Sequence, residues 1–147
     1  MDLREFIKKN RVDAEIIEFK EPVMTVEQAA RMAKCRRDEI IKSIVLIDSS
    51  DNPVIAIVDG ESRVSLKRVG EILGRNVRIA KAREVERKTG YKIGGVPPIG
   101  HRFKTIIDRK IIDKKYVYGG GGDSRHLIKI SPKEIVRLGA IIADISE

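Results

Sequence analysis

Two glycine-rich segments are the parts of this sequence whose composition most directly suggests chemistry. The first runs from Gly94 through Gly95, Pro97 and Pro98 to Gly100, and it cannot form a regular helix or strand. Backbone without side chains lets a ligand approach closely, and successive N–H groups can form an anion-binding nest. The alternative interpretation of this segment is a tight structural turn.

The second segment is a run of consecutive glycines at residues 119–122, with Gly120 and Gly121 at its centre. It is not a Walker A loop, because no Gly-Lys-Ser/Thr follows it. It is not a dinucleotide fingerprint either, because a predicted strand comes next rather than a helix. Taken alone, it favours a hairpin tip. Asp123 is a candidate general base or a turn-shaping residue, and His126 is a candidate ligand-binding residue or a loop histidine bonded to backbone.

A lysine and the single cysteine are further candidates for chemistry. Lys42 directly precedes an apolar run and could aim its ammonium into a cleft, although a solvated strand-end lysine is the simpler interpretation. Cys35 has no Cys-His signature around it and is interpreted as an inert thiol. One cysteine and two histidines provide neither a disulfide framework nor metal-ligand spacing. No metal or other cofactor is therefore expected.

Length and charge limit the class of protein. The 147 residues predict a single domain spanning residues 1–147. Lysine and arginine total 30 against 22 acidic residues, a net charge of +8, which suits either a polyanionic partner or a solvated surface rich in both signs. No apolar run reaches the roughly 18 residues of a membrane span, and the N-terminus has no apolar signal core. A cytoplasmic protein with no membrane or DNA partner is expected.

Capping residues and apolar spacing predict short helices that would position these candidates. Thr25 with Gln28, and Ser131 with Glu134, read as capping boxes, and Ser65 is a candidate cap. The predicted helical segments are an amphipathic start around residues 3–7, then residues 26–34, a turn at 38–41, and residues 66–74, 82–89 and 132–138.

Apolar runs between the helices predict strands. They fall at residues 14–19, 43–47, 54–58, 77–80, 105–108, 116–118, 126–130 and 140–145. The runs at 43–47 and 54–58 are apolar at successive residues, which is typical of strands covered on both faces. The element order is mixed, so the fold class is α/β (mixed α+β) rather than an alternating wound sheet. The residues alone indicate a basic α/β domain with a glycine-rich cleft and a polyanionic ligand.

Three motifs, in order and spanning nearly the whole chain, carry a family resemblance. They are Ile41-Lys42-Ser43-Ile44-Val45-Leu46, then Thr89-Gly90-Tyr91 leading into residues 94–100, then the glycines 119–122 before a strand and Ser131-Pro132-Lys133-Glu134-Ile135. Together they resemble the YbaK/prolyl-tRNA synthetase-associated domain family. That family comprises trans-editing aminoacyl-tRNA deacylases and the editing insertion of bacterial prolyl-tRNA synthetase.

The resemblance implies a fold, an activity and partners. The implied fold is a central mixed, barrel-like β-sheet flanked by short helices. The implied activity is hydrolysis of the ester that joins a wrong amino acid to the terminal adenosine of tRNA, with Cys-tRNA(Pro) or Ala-tRNA(Pro) as expected substrates. The implied partners are the acceptor 3′ end of tRNA and prolyl-tRNA synthetase. The alternative is a non-catalytic module that binds the tRNA 3′ end and leaves the ester intact.

The resemblance also implies roles for residues. Lys42 falls on the signature lysine and would hold a 3′-terminal phosphate or the ester carbonyl. The N–H groups of Gly94, Gly95 and Gly100 would stabilise the oxyanion, with a positioned water as nucleophile. The substrate's own 2′-hydroxyl, or its thiol if the amino acid is cysteine, would assist. The expected substrate-binding residues are Pro97, Pro98, Gly120, Gly121, Asp123 and His126. Size selection requires a small pocket, for which Val45, Ile57 and Ile99 are candidate lining residues.

Overall fold

The computed structural model describes residues 2–147. The helices are α1 Leu3–Lys9, α2 Val26–Ala33, α3 Leu66–Leu73, α4 Ala82–Thr89 and α5 Pro132–Arg137. The strands are β1 Ala14–Glu18, β2 Ile41–Asp48, β3 Pro53–Asp59, β4 Val77–Ile79, β5 Lys104–Asp108, β6 Val117–Gly120, β7 His126–Ile130 and β8 Ile141–Ala143. Within this part of the chain, no helix combines the length and the apolar character needed to cross a bilayer.

Side-chain caps begin two of the helices as predicted. The Thr25 hydroxyl accepts the Gln28 N–H at 3.0 Å at the start of α2, and the Ser65 hydroxyl accepts the Arg68 N–H at 3.2 Å at the start of α3. The predicted cap at Ser131 was wrong, because its side chain makes no capping hydrogen bond. The carboxylate of Glu134 instead pairs with the Arg137 guanidinium one turn later, at 2.9 Å.

The strands form two sheets, and neighbouring strands in each sheet are often distant in the sequence. Together with the helices, this confirms the mixed α/β class. One sheet has the order β4-β2-β3-β5-β8, in which β3, β5 and β8 run parallel and β2 is antiparallel to both of its neighbours. The other has the order β1-β7-β6 and is antiparallel throughout. A bridge between Ile40 and Tyr118 joins the sheets at the start of β2. Over residues 2–147 the strands do not close into a barrel.

The central strand β3 is covered on both faces, as its apolar run predicted. Ile55 and Ile57 belong to one core cluster, whereas Val54, Ala56 and Val58 belong to a second cluster on the opposite face. All five side chains are at most 3% exposed. The side chains of the neighbouring strand β2 also alternate between the two core clusters. Burial on both faces fixes the register of β2, including that of its first residues, where the two sheets meet.

Seven of the eight strands within residues 2–147 differ from the prediction by one or two residues at one or both ends, and two of these differences have identifiable reasons. The last strand ends at Ala143 because the buried carboxylate of Asp108 accepts the N–H groups of Ile145 and Ser146, at 2.9 and 3.3 Å. The N–H groups of those two residues therefore bond to a side chain, while Ser146 forms an isolated antiparallel bridge with Val64. Conversely, β6 continues through Gly120, because the first glycines of the tetraglycine run pair with β7.

Candidate active site

A mostly apolar cavity of about 300 Å³ lies where the start of β2 meets β6, β7 and the beginning of α2. Its apolar lining includes Val26, Ala29, Ile41, Val45 and Leu127. The charged or titratable residues that line it, within residues 2–147, are Lys42, Asp123 and His126. An apolar wall with a few polar groups is typical of a small-molecule site.

Lys42 borders this cavity, and its ammonium is held by the main chain rather than extended into solvent. Its Nζ donates to the carbonyl of Ser62 at 2.7 Å. The turn that presents this carbonyl is shaped by the buried Asp59, whose carboxylate accepts the Glu61 N–H at 2.8 Å and the Ser62 hydroxyl at 2.9 Å. Burial lowers the pKa of Lys42 below its ordinary value, and the negative charge of Asp59 opposes this effect. The remaining protons of the ammonium are available to a ligand.

Asp123 and His126 form a hydrogen-bonded pair at the same cavity. Asp123 Oδ1 lies 2.7 Å from His126 Nδ1 and also accepts the Arg125 N–H at 2.9 Å. The hydrogen bond to His126 is the main reason that the pKa of Asp123 is lowered. His126 Nε2 lies 3.6 Å from Oε2 of Glu18, its cross-strand partner on β1. Asp123 therefore both shapes the turn and orients the imidazole.

The two glycine segments pack against each other through their backbones. The Gly122 N–H donates to the Gly95 carbonyl at 3.0 Å. A Cβ placed on Gly120 would lie 2.5 Å from the Val96 carbonyl oxygen, and one on Gly121 would lie 2.6 Å from the main chain of β7. Side chains at these positions are excluded by the protein's own backbone. The glycines are thus required for this packing whether or not a ligand is bound.

The structure brings together some of the predicted site residues but not all of them. Lys42, Gly94, Gly120, Asp123 and His126 line the cavity. The other predicted residues lie behind it or elsewhere: Gly95, Gly121, Pro97, Pro98 and Gly100.

Gly95 and Gly100 do not occupy the positions expected for oxyanion donors. The Gly95 N–H donates to the carbonyl of Lys92 at 2.9 Å, so it is already used. Gly100 has a φ of +83° and packs towards Leu3 and Phe6. It borders a second cavity of about 180 Å³, together with Pro98. The 94–100 segment therefore begins at the first cavity and ends at the second.

His101 and Cys35 lie outside the candidate site. His101 Nδ1 accepts the N–H of Phe103 at 3.2 Å, as expected for a loop histidine, and burial lowers the pKa of its imidazole. Burial also raises the pKa of the Cys35 thiol to about 11, which keeps it protonated at neutral pH. Among residues 2–147, no three acidic, histidine or cysteine side chains are grouped to hold a metal ion.

One polar lining residue was not singled out from the sequence. Ser43 lines the cavity, and its Oγ is buried without a hydrogen-bond partner in the described chain. The available signal was a hydroxyl within an apolar strand, on the face that also carries Val45. Of the three candidate lining residues, Val45 borders the cavity, whereas Ile57 and Ile99 belong to the core.

The fold and cavity define a mixed α/β domain with a mostly apolar, partly open cavity of small-molecule size. Sequence comparison identifies its family. The sequence model of the aminoacyl-tRNA editing domain matches residues 20–138, and the chain belongs to this family.

Individual relatives are similar over most of the chain. The crystal structure of hypothetical protein APE2540 superposes with a TM-score of 0.93 at 34% identity, covering 99% of both chains. A structure described as "a putative trans-editing enzyme for prolyl tRNA synthetase" superposes with a TM-score of 0.84 at 30% identity, covering 91% of this chain and 87% of the other. An Enterococcus faecalis protein named "Putative Cys-tRNA(Pro)/Cys-tRNA(Cys) deacylase EbsC" is 24% identical over 137 residues, 90% of this chain and 84% of that protein.

Proposed function

We propose that this protein is a trans-acting aminoacyl-tRNA deacylase that hydrolyses the ester of mischarged tRNA, with Cys-tRNA(Pro) or Ala-tRNA(Pro) as its substrate. The observation that carries the proposal is the convergence of Lys42, Asp123 and His126 on one apolar cavity in a chain of the editing family. The names of the relatives supply the choice of tRNA(Pro).

The chemistry requires little beyond positioning, because an aminoacyl ester is already activated. In the proposed reaction a water oxygen attacks the carbonyl carbon, and the Lys42 ammonium stabilises the negative charge that develops on the carbonyl oxygen. His126 Nε2 takes the water proton while Asp123 holds Nδ1–H. The bond from carbon to the ribose oxygen then breaks, and that oxygen receives the proton. The products are a free amino acid and uncharged tRNA.

The remaining contacts of the ester are assigned by charge and size. Asp123 uses only Oδ1 within the loop, so Oδ2 is suited to the α-ammonium of the amino acid. Apolar side chains such as Val26 and Val45 would surround its side chain. The cavity of about 300 Å³ is larger than a proline ring, so exclusion of proline requires a smaller subsite within it; steric overlap there discriminates more strongly than one methylene of apolar contact.

The partners in this proposal are the acceptor 3′ end of tRNA and prolyl-tRNA synthetase, in the cytoplasm where tRNA is charged. The net charge of +8 favours association with RNA.

Deacylation assays test the proposal directly. tRNA(Pro) is charged separately with cysteine, alanine and proline and incubated with the wild type, with Lys42→Ala and with Lys67→Ala. Lys67 is an exposed lysine on α3, so its replacement changes the net charge equally without touching the cavity. We expect the wild type to remove cysteine or alanine and to spare proline. Lys42→Ala should be slower by about 10²–10³-fold, as for the loss of one oxyanion donor, and Lys67→Ala should match the wild type.

Two outcomes would contradict this assignment. Wild-type rates in Lys42→Ala would remove Lys42 from the chemistry. Binding of every acylated tRNA without hydrolysis would indicate the alternative, a non-catalytic module for the tRNA 3′ end.

A further inference from the structure

Three exposed apolar side chains surround the mouth of the cavity. Met24 is 72% exposed, Ile93 is 65% exposed and Ile79 is 54% exposed, yet all three line the cavity. A residue that borders a cavity while more than half exposed must lie at its opening. They come from separate segments: the chain before α2, the strand β4 and the loop after α4. We call these three side chains the apolar rim.

The side chains of the apolar rim are more exposed than any other large hydrophobic side chain in the described residues. Over residues 2–147, the other large hydrophobic side chains classed as exposed are Ile72 and Ile141, at 41% and 42%. The three most exposed ones therefore meet at a single opening. Isolated apolar residues on a surface need no explanation, but a group of them at the entrance to a cavity marks a site for an apolar ligand surface.

We propose that the apolar rim holds the nucleobase of the terminal adenosine of the acylated tRNA. This inference rests on the proposed function. The base and the scissile ester are attached to the same ribose, so an ester beside Lys42 and His126 leaves the base at the cavity mouth. Bases that leave a nucleic-acid stack are held between aromatic or apolar side chains, which cover their flat faces.

The composition of the chain favours aliphatic rather than aromatic side chains as the surface that contacts the base. Aromatic stacking is the usual way to hold an unpaired base, but this chain has no tryptophan and only three phenylalanines and three tyrosines. Methionine and isoleucine at the rim would provide the apolar surface instead. A protein occupant is disfavoured, because a stable protein interface engages roughly 20–30 residues a side, whereas the rim offers three side chains around a concave opening.

The test compares two esters that differ only in the presence of the nucleoside. One is adenosine carrying alanine or cysteine at its 3′ oxygen, and the other is the ethyl ester of the same amino acid. The triple variant Met24→Ser/Ile79→Ser/Ile93→Ser is measured beside the wild type and beside Ile72→Ser, the matched control on α3. Thermal unfolding confirms that each variant is folded.

We expect the triple variant to raise KM for the adenosine ester by about 5- to 30-fold, the lower part of the range for one stacked base, with kcat retained. Its kcat/KM for the ethyl ester should equal that of the wild type, and Ile72→Ser should change neither. An unchanged KM for the adenosine ester, or an equal loss on both esters, would overturn the proposal. A wild-type dimer that the triple variant dissociates would show instead that the rim joins two copies of the chain.

Failure of the proposed function would be visible separately, as absence of hydrolysis of every ester by the wild type. In that case the rim is tested by binding of adenosine monophosphate and of ribose 5-phosphate. Tighter binding of the nucleotide, lost in the triple variant and kept in Ile72→Ser, would support the assignment. Equal binding of the two probes would overturn it.

Discussion

Lys42 keeps its charge beside a mostly apolar cavity because a main-chain carbonyl and a nearby carboxylate compensate for burial. The Ser62 carbonyl accepts one proton of the ammonium at 2.7 Å, and Asp59 fixes the turn that carries this carbonyl. Burial by itself favours the neutral amine, which is why the pKa of Lys42 falls, and Asp59 limits the fall. The ammonium is thus oriented before any substrate arrives, which is what electrostatic stabilisation of an oxyanion requires.

Cys35 provides a residue-scale prediction about reactivity. Burial raises the pKa of its thiol from 9.0 to about 11, so at pH 8 the reactive thiolate should be about a hundredfold scarcer than in the unfolded chain. We expect alkylation by iodoacetamide to be slower by a similar factor in the native protein than in denaturant. Cys35→Ser should retain full deacylation activity. Rapid native-state alkylation, or loss of activity in Cys35→Ser, would contradict an inert thiol.

At the scale of the element, two helix starts that look alike in sequence provide a matched pair. Thr25 caps α2 through a hydrogen bond at 3.0 Å, whereas the Ser131 side chain makes no capping bond to α5. Thr25→Ala should therefore lower the free energy of unfolding by about 1 kcal/mol, while Ser131→Ala should change it little. Chemical denaturation measures both. Equal losses would mean that the two caps do not differ in solution.

The packed glycine segments give a second prediction at this scale. A methyl group at Gly120 would overlap the Val96 carbonyl oxygen, so Gly120→Ala must push the two segments apart. We expect it to lose about 1–3 kcal/mol of stability and most of the deacylation activity. Gly74→Ala is the control, because its new methyl group meets nothing within 4 Å and only its φ of +69° is strained. Gly74→Ala should lose stability and retain activity. A fully active Gly120→Ala protein would show that the glycine segments can move apart without damage to the cavity.

Helices and strands could be predicted well because their signals are local. Thr25 and Gly90 mark helix ends through contacts within a few residues, and the continuous apolar run of β3 reports its two covered faces. The shortened last strand could not be foreseen, because the Asp108 carboxylate that ends it is 37 residues away. Strand order was likewise unavailable, since the parallel pairing of β3 with β5 depends on the whole core.

At the scale of the molecule, the net charge of +8 predicts how binding depends on salt. Association with acylated tRNA should weaken steeply as salt rises, because lysine and arginine side chains displace counterions from the phosphates. Hydrolysis of an aminoacyl-adenosine ester, which lacks phosphates, should be nearly insensitive over the same range. Binding titrations and ester kinetics at several salt concentrations check both. A salt-independent affinity for tRNA would mean that the basic surface does not contact the phosphates.

In the candidate site, too, residues in local motifs could be predicted, whereas residues brought together by the fold could not. Lys42 and His126 belong to recognisable motifs, and both line the cavity. Gly100 was expected beside them, but its segment crosses from one cavity to the other, and spacing alone does not reveal this path. The apolar rim could not be predicted from the sequence at all. Its members are dispersed along the chain and share no motif, so only the fold brings them to the same cavity.

The contact between the two glycine segments has a consequence for how this protein can change over generations. Where Gly94, Gly119 and Gly120 border the cavity, the wall is polypeptide backbone. At Gly119 and Gly120 a side chain would collide with Ile41 or with the Val96 carbonyl, and would damage the wall rather than reshape it. New substrate preferences must therefore arise from the facing surfaces, where α2 and β2 present side chains that can be exchanged one at a time. The side of the cavity at Gly119 and Gly120 is thus constrained by the protein's own atoms, whereas the side formed by α2 and β2 carries exchangeable side chains.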